Sequence, residues 1–518
     1  MKILLAYPEF PKTYWGFQDS LPFVAKKTSL PPLGLLTVAA LLPSNWEIRL
    51  VDLNVRKLRD SDIRWADVVL AGGMLIQTPS LHEIVARSHA LGRQVVVGGP
   101  APTTDPDEFG DADCCFMGEA EGKIGPLVAA LERGGALPRR FPADPTGYPA
   151  MSTVPVPRFD LLDWRKYASM SIQYSRGCPF SCEFCDIIEI FGRVPRVKSP
   201  AQVKAELQAL LATGYKGSVF FVDDNFIGNK KAVREFLPEL LAWQTAHRYP
   251  FEFYTEASVN LADDDALIQA MVQAHFTSVF LGIETPSVEA LKLTGKRQNA
   301  AVDLVQAVDH LTRSGLEVMG GFIVGFDSDD PTIFEAQRRF IASIPVPLAM
   351  VGLLMALPGT ALWRRLEREG RIRETATGDQ FGRPNFVPAM DERKLLEGYH
   401  TLLGEIYRPD SYYARCEAFL SRWPRPAINR LPSLDELKAF ARAIVGIGIA
   451  SPRRWHFWRL VASSARKAPH ALSLAVTLAI FGEHLIRYTE KTVRPRVQAA
   501  IAGLPPASAQ AHDRALAG

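Results

Sequence analysis

Short apolar runs alternate with helical patterns twice along this chain of 518 residues, and a proline-dense stretch separates the two arrays. In the first array, apolar runs at 2–7, 47–52, 67–72, 94–99 and 114–117 are divided by helix-like segments such as 33–42 and 79–91. That rhythm predicts a doubly wound, Rossmann-like parallel sheet, because parallel neighbours need a crossover and the crossover is usually a helix. Such sheets bind ligands at their C-terminal strand ends. Those ends carry Tyr7-Pro8, Gly72-Gly73, Gly98-Gly99-Pro100 and Gly118-Glu119. The second array has apolar runs starting near 170, 218, 251, 278, 317 and 350, with helical segments such as 201–213 and 300–314 between them. Repeated βα units in this number predict a partial (β/α)6 barrel, again with its chemistry at the C-terminal strand ends. Prolines 138, 142, 145, 149, 155 and 157 exclude a helix or central strand between the arrays. The expected organisation is therefore α/β: a Rossmann-like domain at 1–135, an extended linker at 136–165 and a barrel at 166–390. A helical region at 391–500 and a disordered tail at 501–518 complete it.

Composition narrows the setting. With 47% hydrophobic and 22% charged residues the chain reads as globular, and six cysteines are too few for a disulfide scaffold. The first residues read as a buried strand and lack a cleavage site, so no secretory signal is expected. The best apolar run, 471–481, is followed by Gly-Glu-His and is expected to fall short of a bilayer. A reducing cytoplasm is the expected location.

Three of the six cysteines lie within eight residues, as Cys178, Cys182 and Cys185 in RGCPFSCEFCDI. Three thiolates converging from one loop make a metal site. Structural zinc wants four ligands, and the next histidine is His247. Inert buried thiols are the other bland reading. A cubane iron–sulfur cluster usually has four cysteines. Held by three, it keeps one iron open.

The C-x3-C-x2-C spacing with an aromatic before the last cysteine resembles the radical S-adenosylmethionine (SAM) enzymes. The resemblance implies that Cys178, Cys182 and Cys185 hold a 4Fe-4S cluster, whose open iron chelates SAM for cleavage to a 5′-deoxyadenosyl radical. It places Phe184 near the adenine, and Asp223, Asp224 and Asn225 of Phe221-Val-Asp-Asp-Asn-Phe226 near the SAM amine. Glu284, in Leu281-Gly-Ile-Glu-Thr285, is implied at the ribose or the amino acid end. Gly320-Gly-Phe-Ile-Val-Gly325, ending at Gly325, resembles the strand that backs the adenine. Leu357-Pro-Gly-Thr360 follows the last strand, as in many members.

A Rossmann-like domain ahead of this barrel resembles the cobalamin (B12)-binding subgroup. Its signatures are similar to Ser29-Leu-Pro-Pro-Leu-Gly-Leu35, Val97-Gly-Gly-Pro-Ala-Pro102 and Gly118-Glu-Ala-Glu121. The implied cobalamin contacts are Pro32, Gly34, Gly72, Gly98, Gly99, Pro100, Gly118 and Glu119. Glycines there let a large ligand approach the backbone, and no G-x-G-x-x-G follows the first strand. The axial-histidine motif D-x-H-x-x-G is also absent. His82 and His89 fall in a predicted helix and read as surface or packing residues. The cobalt is thus expected without a histidine ligand, with Gly73, Met74 and Gln77 facing the lower side of the corrin.

Residues 395–413 resemble the helical extension of a bacterial branch of this subgroup, and the combined resemblance covers about 1–425. The leading function it implies is methylation of an unactivated carbon of a small molecule, with hydrophobic lipids, hopanoids and pigments as candidate substrates. An external electron donor of flavodoxin or ferredoxin type is implied too. Two alternatives stay open: a cobalamin-dependent radical rearrangement or cyclisation, and a non-catalytic cobalamin or redox sensor. Residues 421–518 hold 15 Lys+Arg against 5 Asp+Glu, so about +10 sits there and about −7 on the remainder of a chain of net +3. Basic helices with Trp455, Phe457, Trp458 and Phe481 fit peripheral contact with the inner face of a membrane. They equally fit ordinary solvated helices. Nucleic acid is disfavoured, because no RNA-binding module is recognisable. Cys416 reads as packing.

Overall fold

The computed structural model describes residues 1–142, 147–425 and 433–505. Six strands form the first sheet: β1 (Lys2–Tyr7), β2 (Glu47–Asp52), β3 (Val68–Gly72), β4 (Gln94–Gly98), β5 (Cys114–Phe116) and β6 (Arg140–Phe141). Their spatial order is β2-β1-β3-β4-β5-β6, all parallel. Ile3, Leu4, Leu5 and Ala6 are fully buried, because helices cover both faces of the central strands. β6 differs from the expected linker: Arg140 and Phe141 extend the sheet at its edge, where flanking prolines cost no ladder bond. Short helical turns at Met151–Thr153, Phe159–Leu161 and Trp164–Lys166 carry the chain onward.

The second sheet comprises β7 (Met170–Ile172), β10 (Gly217–Phe221), β11 (Phe251–Ala257), β12 (Phe276–Glu284), β13 (Glu317–Val324) and β14 (Ala349–Leu353). Pairing runs in sequence order, every pair parallel, with β7 and β14 at the two edges. That is an open six-stranded barrel. A small antiparallel hairpin, β8 (Ser175–Arg176) with β9 (Arg196–Val197), sits on its C-terminal rim. On β11, Phe251, Phe253 and Thr255 are buried under the outer helices, while Glu252, Tyr254 and Glu256 keep some exposure on the inner face.

Helices at Glu392–Ile406, Pro409–Leu420, Leu434–Ala443 and Arg454–Lys467 follow. Tyr399 donates its hydroxyl to the Val351 carbonyl at 2.8 Å, fastening this region to β14. The last helical stretch differs from expectation. It is continuous over Pro469–Ala502, and an 18-residue window within it has a mean hydropathy of 1.3, so by length and composition alone it could span a membrane. Of its apolar window, 61% is buried inside the protein. Its polar interruption does not break it because both groups are paired internally: Glu483 with Arg453 at 2.6 Å and His484 with the Thr13 carbonyl at 2.9 Å. The helix runs to Ala502 and Leu504 is buried, so the expected disorder does not begin at 501; residues 506–518 lie outside the described residues.

Candidate active site

The hairpin β8–β9 closes the loop that carries the three cysteines. At its root Gly177 has φ +94°, and a Cβ there would lie 2.8 Å from the Gly192 carbonyl, so only glycine fits. Three separate parts of the fold grip the loop. Gly177 N–H donates to Asp224 Oδ2 at 2.8 Å, Glu183 N–H to the Thr294 carbonyl at 2.9 Å, and Leu362 N–H to the Glu183 carbonyl at 2.8 Å. The thiols of Cys178, Cys182 and Cys185 are half-buried, and desolvation pushes each above its ordinary pKa. Amide groups point at two of the sulfurs: Asn225 Nδ2 is 3.8 Å from Cys178 Sγ and Gln298 Nε2 is 3.9 Å from Cys182 Sγ. Among the described residues no three Cys, His, Asp or Glu side chains converge on one single-ion position, as structural zinc requires. A cluster fits this loop: iron takes up the thiolate charge that burial penalises, and the amides stabilise sulfur.

The carboxylates after β10 divide their tasks. Asp223 is buried; its Oδ1 accepts from Tyr174 N–H at 2.8 Å, and its Oδ2 from Ser175 N–H and Oγ–H at 2.7 and 2.6 Å. Through these three bonds Asp223 clamps the turn after β7. Burial pushes its pKa up to about 7. Asn225 is likewise occupied, by the Cys178 sulfur and by Ser258 N–H at 3.3 Å. Asp224 is the member of the run with access to the rim, and burial pushes it up to about 6. Gly325, at φ +101°, is buried, and its N–H donates to Asp329 Oδ2 at 2.9 Å.

Glu284 ends β12 at a register irregularity with φ +68°, a strained value for a residue with a side chain. It is ion-paired with Lys296. A Cβ on Gly282 would lie 2.6 Å from Lys296 Nζ, so the pair covers bare backbone on the inner face of the barrel. Lys296 Nζ also stands 5.8 Å from the Phe184 ring centroid. Burial works against the Lys296 charge, but Glu284 and Cys182 more than offset it and raise the pKa. Lys296, Gln298 and the Glu183–Arg365 pair at 3.0 Å were not singled out from sequence. Within Gly295-Lys-Arg-Gln298, Lys296 and Gln298 read as part of an ordinary basic stretch, and nothing local marks them as inward-facing.

Below this rim the inner face of the barrel carries an aromatic patch beside the carboxylates of Glu252 and Glu256. Phe220 and Tyr254 stack at 4.7 Å, and Phe280 meets Trp15 edge-on at 4.9 Å. Trp15 comes from the loop after β1, so the first domain reaches the inner face of the barrel. Gly321 leaves room for the Phe280 ring, whose Cζ lies 2.6 Å from where its Cβ would be. Glu256, crowded by protein on the inner face, is pushed up to about 8 by desolvation, with Asp224 and Asp223 adding to it.

At the C-terminal edge of the first sheet, Gly34, Gly72, Gly98, Gly99, Pro100 and Gly118 are at least partly open, while Pro32 and Gly73 are buried. Gly99 has φ +96°, and a Cβ there would lie 3.0 Å from the Gly73 carbonyl. Met74 is 52% exposed on this shelf. Gln77 is fully buried, donating to the Pro8 carbonyl at 2.7 Å and accepting from Met74 N–H at 2.9 Å. It therefore shapes the loop that carries Met74. A flat edge of bare backbone with one exposed thioether fits the broad face of a corrin. Glu119, together with Glu121, grips Arg176 and Arg196 of the cluster hairpin. His82 and His89 pair with Asp111 and Asp113, both at 2.8 Å, on the outer side of the domain.

Sequence profiles match three segments: a B12 binding domain at 24–127, the radical SAM superfamily at 172–337 and a domain of unknown function, DUF4070, at 360–498. The chain is 33% identical over 509 residues, 96% of its length and 95% of the relative's, to the hopanoid C-2 methylase of Rhodopseudomonas palustris strain TIE-1. It belongs to the cobalamin-binding radical SAM methyltransferases. Another relative of this family, an uncharacterised methyltransferase of Synechocystis, is 43% identical over 95% of this chain and 92% of its own. The fold matches the cobalamin-dependent SAM radical enzyme OxsB, solved with aqua-cobalamin and SAM, at a TM-score of 0.61 and 14% identity, over 99% of this chain and 82% of that one. As a cobalamin-dependent radical SAM C-methyltransferase, the protein uses a 4Fe-4S cluster, SAM and cobalamin.

Proposed function

We propose that this enzyme methylates an unactivated carbon of a hydrophobic small molecule of lipid, hopanoid or pigment type. The observation that carries the reading is the aromatic lining of the barrel's inner face, Phe220, Tyr254 and Phe280, met by Trp15 from the first domain. Aromatic surfaces of this kind hold a substrate by burying its surface and keep water from reactive species. Bound together, the three cofactors supply a radical that removes hydrogen and a methyl group that replaces it. The chain's own part is to orient. Asp223 and Asp224 fix the cluster loop, and Glu284 with Lys296 presents paired charges to the amino acid end of SAM beside Phe184. The hopanoid relative has a lipid substrate by name, in keeping with such a lining. The electron donor is a flavodoxin- or ferredoxin-type protein, and the enzyme works in the cytoplasm, in peripheral contact with the inner face of the membrane.

Anaerobic incubation of the reconstituted enzyme with a lipid and pigment extract and methyl-labelled SAM tests this. Label should enter the organic phase in one product, with S-adenosylhomocysteine and 5′-deoxyadenosine formed alongside. Label confined to water-soluble products, or turnover without S-adenosylhomocysteine, overturns it.

A further inference from the structure

Six of the large apolar side chains left exposed by this fold fall within 434–458: Leu434, Leu437, Val445, Ile449, Trp455 and Trp458. Four of them are more than half bare by a wide margin, Leu434 at 74%, Val445 at 61%, Ile449 at 63% and Trp455 at 74%. The first four follow helical spacing along the outer face of the helix Leu434–Ala443 and its π-type continuation Ile444–Ile449. The inner face of the same stretch buries Ala439, Ala443 and Ile447. The helix Arg454–Lys467 sets the two tryptophans beside this stripe: Trp458 is tied to the Gly448 carbonyl at 2.9 Å, and Trp455 is 74% exposed. Exposed basic side chains lie among them: Arg442 and Arg454, with Lys438 beside the exposed Asp435 at 3.5 Å and Arg459 beside Glu417 at 3.1 Å. A concentration of exposed apolar groups on that scale marks an interaction site.

We propose that this face docks on the interface of an anionic lipid bilayer, with the apolar stripe and Trp455 among the acyl chains and the basic groups on the headgroups. The idea refines the peripheral membrane contact proposed above and does not depend on the chemistry. Charge chooses the occupant: two copies facing each other through this patch would oppose Arg442 and Arg454 to like charges, whereas anionic headgroups complement them. The long apolar helix Pro469–Ala502 is not the anchor, since most of its window is inside the protein. Placement adds a reason for the contact. Arg442 Nη1 donates to the Phe23 carbonyl at 3.0 Å, and Phe23 packs against Gly446. Eight residues earlier, the same N-terminal segment sets Trp15 against Phe280 of the barrel. One short segment, residues 15–23, thus touches both the docking face and the barrel's inner face.

The test is co-sedimentation of the full-length, reconstituted protein with vesicles of phosphatidylcholine, alone or mixed with phosphatidylglycerol, at low and high salt. The wild type should bind the anionic vesicles, and Ile449→Glu with Trp455→Glu should lower binding about tenfold or more at either salt, as expected when insertion is lost. Arg442→Gln with Arg454→Gln should weaken binding at low salt alone. None of these residues touches the cofactor site, so 5′-deoxyadenosine formation and circular dichroism should match the wild type in all variants. Unchanged vesicle binding by the Glu variant overturns the proposal. So does a wild type that ignores vesicles and instead forms a dimer the Glu variant abolishes.

Discussion

Arg176 Nη2 lies 2.8 Å from Glu121 Oε1, joining the cobalamin domain to the residue two places before the first cluster cysteine. Their side chains are 10% and 4% exposed, and Glu119 completes the group by pairing with both Arg176 and Arg196. Removing one partner of a buried pair leaves an uncompensated charge and costs about 3–5 kcal/mol. Arg176→Met should therefore lower stability by about that amount, measured by anaerobic denaturant unfolding. Adding Glu121→Gln should recover a good part of it, because Glu119 keeps Arg196. A double variant no more stable than the single one would mean that the link between the domains is held elsewhere.

Replacing Cys178, Cys182 or Cys185 with Ala should abolish 5′-deoxyadenosine formation, since a cluster held by three protein ligands has none to spare. The check is anaerobic reconstitution of each single variant, with iron content and SAM cleavage measured together. Wild-type cleavage by any one of them would refute the assignment of the loop.

Much of this arrangement was readable from residue order. The strands appear where apolar runs alternate with helical spacing, because burial on both faces demands such runs. The cluster loop was readable because few chemistries use three thiols so close in sequence. Side-chain partners were not. Asp223 reads like a strand-end ligand, yet backbone N–H groups of Tyr174 and Ser175 occupy it. Glu119 looks like part of a cobalamin signature, but its partners, Arg176 and Arg196, lie more than 50 residues on. The break at Gly482-Glu-His484 reads as the end of an apolar run, and only Arg453 and Thr13 make it tolerable inside a helix. Such pairings depend on tertiary geometry, and no local pattern carries them.

Lys296 and Glu284 face each other over Gly282, beside Phe184. If they orient the charged end of SAM, Glu284→Gln and Lys296→Met should each weaken SAM binding by roughly 10–100-fold, the scale of a lost charge-assisted contact. Equilibrium dialysis against SAM, with iron content as the control for an intact cluster, reads this directly. Full SAM affinity in both variants would reduce the pair to a structural tie.

Bound cobalamin should show no histidine nitrogen coupling in the Co(II) electron paramagnetic resonance spectrum. No histidine occurs in residues 8–32, 72–77, 98–106 or 117–125, which cover the loops at the C-terminal edge of the first sheet. His82 and His89 are engaged with Asp111 and Asp113. Nitrogen hyperfine structure that disappears in His82→Ala or His89→Ala would contradict this geometry.

Glu317 opens β13 on the inner face of the barrel, near its floor, and is 9% exposed with Oε1 lacking a hydrogen-bond partner. No ion pair to it is present among the described residues. Burial pushes its pKa from 4.5 up to about 7, and the Glu252 charge adds to the shift. The folded state therefore holds this proton more tightly than the unfolded chain does. Stability from this group must fall as pH rises from about 4.5 to about 7 and stay reduced above that. A shift of that size corresponds to about 3 kcal/mol. Glu317→Gln keeps the shape and removes the ionisation. It should raise the melting temperature by several degrees, roughly 2–6 °C, at pH 8, with the gain shrinking toward zero by about pH 5. Thermal unfolding of the anaerobic, reconstituted protein across this range is the measurement. An equal gain at both ends of the range would show that the carboxyl is not the titrating group, and that packing alone sets the cost of Glu317.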